Sequence, residues 1–403
     1  MLTSLRTLIR PLITLILSAT LLPAVTPVKK KHTKSGAAKR ALTNAAFSVP
    51  GKTITTAPLA AAKRTASSIK ASRVKVSGPW RAPTYADATA GDYVEGEDPV
   101  VRRAAVDALG KLNGAVVVAD PFTGRVLTIV NQKVALKNGF QPCSTIKIPV
   151  ALAALSESIV DRTTLLRIYG GTTISMTDAI ARSNNAYFAS LGEKLGFERV
   201  SYYARLFGLG EKAGLDIDGE QPGILPPETP KSGMGMMTSF GDGISLTPLE
   251  YAALIGAVAN GGTLYYLQYP KSQPSDGALI PQIKRRLDIA DLIPEIKPGM
   301  MGAVEYGTAR RAIFDPNGPM YGKTGTCTDS RTPTHLGWFG SFMEAGNQKV
   351  VVVVLLTGGG AVSGPAAAGV AGQVYRNLDA QNFFAQRFLT QPGGRAASLA
   401  ASQ

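Results

Sequence analysis

The sequence predicts a single α/β domain whose sheet is completed late in the chain, and three observations point there. Two β-branched runs, "AVVVAD" and "RVLTIVN", flank the turn "PFTG" near residue 120, the pattern of a hairpin. Three further strand-like runs, "YGKTGTCT", "HLGWFGSFM" and "KVVVVVLLT", are clustered beyond residue 320. Between the two groups the apolar spacing is helical. Strands at both ends with helices between them fit one sheet closed by its last members.

The elements follow in order. "VRRAAVDALGKL" predicts a helix closed by Asn113 and Gly114, ahead of the hairpin. Ser144 to Glu157 is a helix candidate, although Pro149 has no N–H to give to the carbonyl of Thr145, so the first turns should be irregular. "MTDAIARS" and "AYFASLGEKLG" are two short helical segments. "TPLEYAALIGAVANGG" is a longer one with a glycine-rich stop. After the three late strands a helix is expected from about Ala366 to Phe388, then a frayed tail over 391–403.

The chain of 403 residues, 45% hydrophobic, is long enough for a large domain with accessories. Its formal charge of +15 raises nucleic acid as a partner until the charge is located. Through Val100 there are fifteen Lys and Arg against five Asp and Glu, a net of +10. The basicity therefore belongs mainly to the N-terminal region, and the rest is a mildly basic globule with no expected nucleic-acid partner. Arg6 and Arg10 precede an apolar run from Pro11 to Val28, which has the character of an export signal or a short membrane anchor. The "KKKHTK" that follows opposes outward transfer under the positive-inside rule. Residues 29–97, rich in Ala, Lys, Thr and Pro, are expected to be a disordered basic tether, and 98–390 the folded domain. The expected location is the extracytoplasmic face of the cell membrane, or secreted if the leader is cleaved.

The chemistry starts at "QPCSTIKIPV". A helix beginning near Ser144 puts Lys147 one turn further on the same face, within reach of the serine hydroxyl. A lysine acts as a base only when neutral, and apolar Ile146, Ile148 and Val150 supply desolvation that lowers its pKa from ~10.4. Alone, this spacing is also met by a capping serine with a snorkelling lysine. Two further stretches shift the balance. "IARSNNAYF" offers Ser183, Asn184 and Asn185 between helical segments, and "YGKTGTC" offers Lys323, Thr324, Gly325 and Thr326 on a strand. Gly325 removes a side chain where a helix or substrate must approach the backbone.

In this order the three motifs resemble those of the penicillin-binding protein transpeptidases, within the wider group of serine β-lactamases and penicillin-recognising enzymes. The resemblance spans about residues 98 to 390. It continues through "DPFTGRVLTIV", "FGLGEKAGLDIDGEQPGILP", "SFGDGISLTPLEYAALIGAVANGGTLY", "YGTARRA" and "HLGWFGSF", which are similar to class B members in particular. It implies a β-lactamase/transpeptidase-like fold, a central antiparallel sheet flanked by helices with an all-helical subdomain. By resemblance Ser144 is the nucleophile, Lys147 its base, and Ser183, polarised by Lys147 and Lys323, the proton donor to the leaving nitrogen. Asn185 would bind the acyl-side amide. Lys323, Thr324 and Thr326 would hold the substrate carboxylate, with Gly325 leaving space, and the backbone N–H groups of Ser144 and Thr326 would form the oxyanion hole. The implied substrate is the D-Ala-D-Ala end of a peptidoglycan stem peptide. β-Lactams would acylate the same serine, with no cofactor.

The chain also departs from the pattern. Cys143 replaces the usual glycine before the nucleophile, and with Cys327 it occupies positions similar to the disulfide of class A carbapenemases. A bond between them is one reading and two buried thiols the other. "STIKIP" is locally similar to class D β-lactamases. A β-lactamase must activate water for deacylation, yet Glu211, Glu220 and Glu228 lack the ExxLN context of class A, and the only tryptophans are Trp80 and Trp338. The alternatives to a transpeptidase or carboxypeptidase are thus a serine β-lactamase and a non-catalytic penicillin sensor. The spacing between the first two motifs is shorter than in the family, and no room is expected before residue 98 for an N-terminal pedestal. Protein partners are not indicated. His32 and His335 are too few and too far apart for a metal site, and "GDG" and "TGGGA" lack the spacing of phosphate loops.

Overall fold

The structure, a computed structural model, describes residues 80–385 apart from 138, 169–170, 270–278, 316–317, 330–332 and 347. The expected leader, most of the tether and the tail lie outside the described residues. Among the described residues no helix is long and apolar enough to cross a membrane.

Helix α1 (Pro99–Leu109) leads into the hairpin β1 (Gly114–Ala119) and β2 (Val126–Val130). A mostly helical stretch follows: α2 (Gln132–Ala135), a 3-10 turn (Cys143–Ile146) running into α3 (Lys147–Ser156), the ribbon β3 (Leu166–Arg167) and β4 (Thr173–Ile174), then α4 (Met176–Ala181), α5 (Asn185–Leu206), α6 (Met234–Phe240) and α7 (Pro248–Asn260). A second ribbon, β5 (Thr263–Tyr265) and β6 (Ile283–Arg286), precedes α8 (Ile293–Glu305). The chain then returns as β7 (Met320–Thr328), β8 (His335–Ala345) and β9 (Gln348–Gly358), and ends its described part with α9 (Gly364–Ala380). The five long strands form one antiparallel sheet in the order β2-β1-β9-β8-β7. The sheet is closed by the last strands, and β7 is left at its edge.

The unbroken valine run of β9 follows from burial on both faces. Val351, Val353 and Leu355 pack with α3, α5 and α7 residues in one core. Val350, Val352, Val354 and Leu356 face a second core built with α1 and α9. The two-residue period of a strand divides one apolar sequence between two cores.

Several boundaries differ from the sequence reading. Helix α1 stops at Leu109, because Gly110 takes a positive φ of 57° and its N–H bonds Val106 O. Gly114, expected to close that helix, opens β1 instead. Helix α5 runs past the expected stop at Gly196, which breaks it into two helices at φ 72°, ψ 167°. Helix α9 ends at Ala380; a turn at Gln381 and Asn382 separates it from helical residues 383–385, and the expected end at Phe388 lies outside the described residues. Helix α8 was hidden from pattern reading by Pro294 and Pro298, and α6 by its seven-residue length between Gly233 and Gly241.

The expected boundary at residue 98 lies too late, since residues 80–97 are partly built into the domain. Asp92 accepts hydrogen bonds from the Asn131 and Gln132 N–H groups at 2.9 and 2.8 Å. Glu97 accepts from Ile129 N–H at 2.9 Å and from the Thr128 hydroxyl at 2.7 Å. Arg102 of α1 completes the cluster, at 2.7 Å from Asp92 and 3.4 Å from Glu97, while donating to Ile129 O. Both carboxylates are buried, so removing the arginine leaves two negative charges without their counter-ion. Arg102→Gln is expected to lower unfolding free energy by about 3 kcal/mol, read as a lower urea midpoint at unchanged m.

Candidate active site

Three elements meet at one cleft. The first is the turn before α3. Pro142 and Cys143 end a loop fixed by Trp338 Nε1, which donates to Gln141 O at 3.0 Å. Thr145 Oγ1 donates to Pro142 O at 2.7 Å, and the N–H of Lys147 bonds Ser144 O in 3-10 fashion. This is the irregularity that Pro149 imposes two residues further on. It points Ser144 and Lys147 the same way, with Lys147 Nζ 2.9 Å from Ser144 Oγ. Ser144 Oγ also lies 3.5 Å from Ser239 O, at the end of α6.

The second element is the turn between α4 and α5. Ser183 takes a positive φ of 57°, which reverses the chain, and Asn184 caps α5 by accepting from Tyr187 N–H at 2.9 Å. The reversal aims Ser183 and Asn185 at α3. Lys147 Nζ lies 3.1 Å from Ser183 Oγ, 3.0 Å from Ser183 O and 2.5 Å from Asn185 Oδ1.

The third element is β7. Lys323 Nζ donates to Ser183 Oγ at 2.8 Å and to Thr324 O at 2.9 Å. A Cβ on Gly325 would sit 2.9 Å from Pro142 O and 3.2 Å from Cys143 Cβ, so the glycine is what lets the turn rest against the strand. Two residues on, Cys327 is joined to Cys143 by a disulfide, with Cα atoms 5.5 Å apart. Strand and turn are therefore held by close packing and by a covalent bond.

Ser183 Oγ lies between the amino groups of two lysines, both fully buried. Burial lowers Lys147 to about 7. Burial first, and then the charge of Lys147, holds Lys323 well below its ordinary range. Four oxygens lie within 3.1 Å of Lys147 Nζ. A neutral amine can accept the Ser144 proton while donating to two of the others, so the geometry suits a base facing a hydroxyl.

The structure brings Ser144, Lys147, Ser183, Asn185 and Lys323 into one hydrogen-bonded group. Thr324 is buried on β7, its hydroxyl 2.5 Å from that of Thr308. Thr326 is exposed, and its hydroxyl oxygen accepts from Gly364 N–H at 2.7 Å, at the start of α9. Asn185 also shares its carbonyl oxygen with Lys147, a contact not foreseen for a substrate-binding amide. Sequence reasoning missed Thr308 and the Ser239 carbonyl. Thr308 lies within "YGTARRA" and Ser239 opens "SFGDGISLTPLEYAALIGAVANGGTLY", two stretches whose resemblance was visible although neither residue stood out within them.

Residues 114–378 match the family described as the penicillin binding protein transpeptidase domain. The chain is 29% identical over 234 residues to stage V sporulation protein D of Bacillus subtilis, covering 52% of this chain and 36% of that protein. It is 26% identical over 322 residues to the peptidoglycan D,D-transpeptidase PbpA of Mycobacterium tuberculosis, covering 63% of this chain and 64% of the relative. The chain thus spans little more than a third of the first of these relatives. In fold it is similar to crystalline PBPA from M. tuberculosis, at TM-score 0.59 and 24% identity over 70% of this chain and 81% of the other. The transpeptidase domain of Burkholderia pseudomallei penicillin-binding protein 3 gives the same score at 23% identity, over 71% and 94%. An imipenem acyl-enzyme complex of M. tuberculosis penicillin-binding protein A is also similar, at TM-score 0.57 and 24% identity over 69% and 78%.

Proposed function

The chain belongs to the penicillin-binding protein transpeptidase family, and on that premise we propose that it is a serine D,D-transpeptidase or D,D-carboxypeptidase acting on peptidoglycan stem peptides. The observation that carries this reading is a serine hydroxyl 2.9 Å from a buried lysine, with a second serine hydroxyl bridging that lysine to another.

Lys147, neutral, takes the Ser144 proton as Oγ attacks the carbonyl of the penultimate D-Ala. The oxyanion is met by the N–H groups of Ser144 and Thr326, where one donor is typically worth ~10² to 10³ in rate. Ser183 gives its proton to the departing nitrogen of the terminal D-Ala and is reprotonated from Lys147. The C–N bond breaks, D-Ala leaves as the free amino acid, and an ester remains on Ser144. An amine from a second stem peptide, or water, then attacks the ester with Lys147 again receiving the proton. The substrate carboxylate lies against Lys323, Thr324 and Thr326, and its negative charge favours the protonated form of Lys323. β-Lactams acylate Ser144 along the same path.

A β-lactamase would add a base for water. Glu211 is paired with Lys284 and Arg285. Glu220 accepts from the N–H groups of Ala213 and Gly214. Glu250, raised to about 7 mainly by burial, accepts from those of Gly210, Gly223 and Thr247. These carboxylates hold loops in place and make no hydrogen bond to Ser144 or Lys147. The disulfide supports a place outside the cytoplasm, where such bonds persist, with the N-terminal segment as membrane tether.

Fluorescent penicillin is expected to label the wild-type protein in a bond that persists after excess reagent is removed, and to leave Ser144→Ala unlabelled. A wild-type chain that takes no label loses the enzymatic reading. One that sheds the label rapidly is a β-lactamase.

A further inference from the structure

The segment between α8 and the 3-10 turn Arg310–Ala312 links two of the three cleft elements. Thr308 N–H donates to Ala181 O at 3.1 Å, satisfying a carbonyl that the end of α4 leaves without a helical partner. The preceding residue must be small there, since a Cβ on Gly307 would stand 2.1 Å from the same oxygen. Two residues beyond Ala181 comes Ser183. On its other side, Thr308 Oγ1 lies 2.5 Å from Thr324 Oγ1, next to Lys323 on β7, and at a longer 3.5 Å from Ala181 O, so the shorter contact is the better partner for its one proton. One residue therefore contacts both the turn that carries the bridging serine and the strand that carries the second lysine.

We propose that Thr308 is a positioning residue that orients the Thr324 hydroxyl as a donor to the substrate carboxylate. The inference rests on the carboxylate placement described above. A hydroxyl donates one proton. With Thr308 donating to Thr324 Oγ1, the Thr324 proton is directed away from Thr308 and towards an anion beside Lys323. In the chain Thr308 O–H to Thr324 O–H to carboxylate, each bond polarises the next. Without the Thr308 hydroxyl, the Thr324 proton has no fixed direction and its oxygen loses a partly buried partner.

The test measures acylation by benzylpenicillin and by its methyl ester, separating the half-saturation constant from the limiting rate. For Thr308→Val the half-saturation constant for the acid is expected to rise ~10-fold, the lower range for a hydrogen bond to a charged group. The limiting rate should stay within about threefold, the ester should be unaffected, and Thr308→Ser should restore most of the loss. A Thr308→Val, Thr324→Val double variant should be no worse than Thr324→Val alone. Equal losses for acid and ester, or no loss at all, would overturn the proposal. If valine is not tolerated, as judged by thermal melting, Thr308→Ala and Thr308→Ser carry the same comparison. Failure of the wild type to acylate at Ser144 would be seen first, and would count against the function rather than against Thr308.

Discussion

Replacing Lys147 by alanine is expected to slow acylation of Ser144 by ~10² to 10⁴-fold, the usual contribution of a positioned general base. The wild-type rate should rise with pH to a plateau, with an apparent midpoint about 7. The sign follows from the role. Below the midpoint Lys147 carries a proton and cannot take another, so the rate should fall about tenfold per pH unit. Because Lys323 lies across Ser183 and is itself shifted down, the midpoint belongs to the coupled pair. In Lys147→Ala the remaining slow reaction should lose this limb. Lys147→Arg should be no better, since a guanidinium stays charged. Stopped-flow acylation from pH 5 to 9 measures all three, and a flat wild-type profile would remove Lys147 as the base.

The same burial has a stability consequence of opposite direction. A lysine whose folded pKa lies below its unfolded value costs stability below the folded pKa, and the cost fades as pH rises towards the unfolded value. Lys147→Met should therefore melt higher than wild type at pH 6, with the gain shrinking towards pH 10.

Loss of the disulfide is the second large effect expected. The bond closes a sequence separation of 184 residues. In the chain-entropy account this contributes up to about 5 kcal/mol. The Cys143→Ser, Cys327→Ser double variant should melt roughly 10 °C lower, by the usual conversion for domains of this size. It should also acylate more slowly, because the turn carrying Ser144 is then held to β7 only by packing at Gly325. Denatured, unreduced protein from an oxidising compartment should show no reactive thiol; two reactive thiols would contradict the bond. A double variant that melts with the wild type would show that the bond does not constrain the unfolded chain.

How much of this was legible in the sequence depended on how local each signal was. Ser144 and Lys147 are one helical turn apart, so their meeting follows from spacing alone. The late strands were legible because β-branched runs of that length have few other uses. That Ser183 and Lys323 reach the same oxygen neighbourhood required the resemblance, since nothing in spacing joins residues 140 apart. Residues 80–97 were misread because their anchors are carboxylates bonded to distant backbone N–H groups, which composition scores as solvent-exposed polarity. Thr308 was invisible for a related reason. Its partners, Ala181 O and Thr324 Oγ1, lie on two other elements, and one is a carbonyl common to every residue type.

The order of strands in the sheet bears on biosynthesis. Val116 of β1 pairs with Val354 of β9, so a hairpin made early exposes one flank until more than two hundred further residues have been added. A nascent chain in that interval presents unsatisfied main-chain groups between valines, the kind of template on which intermolecular pairing starts. Slow, contact-order-limited closure and a need for holding factors until the last strands are made follow from that arrangement.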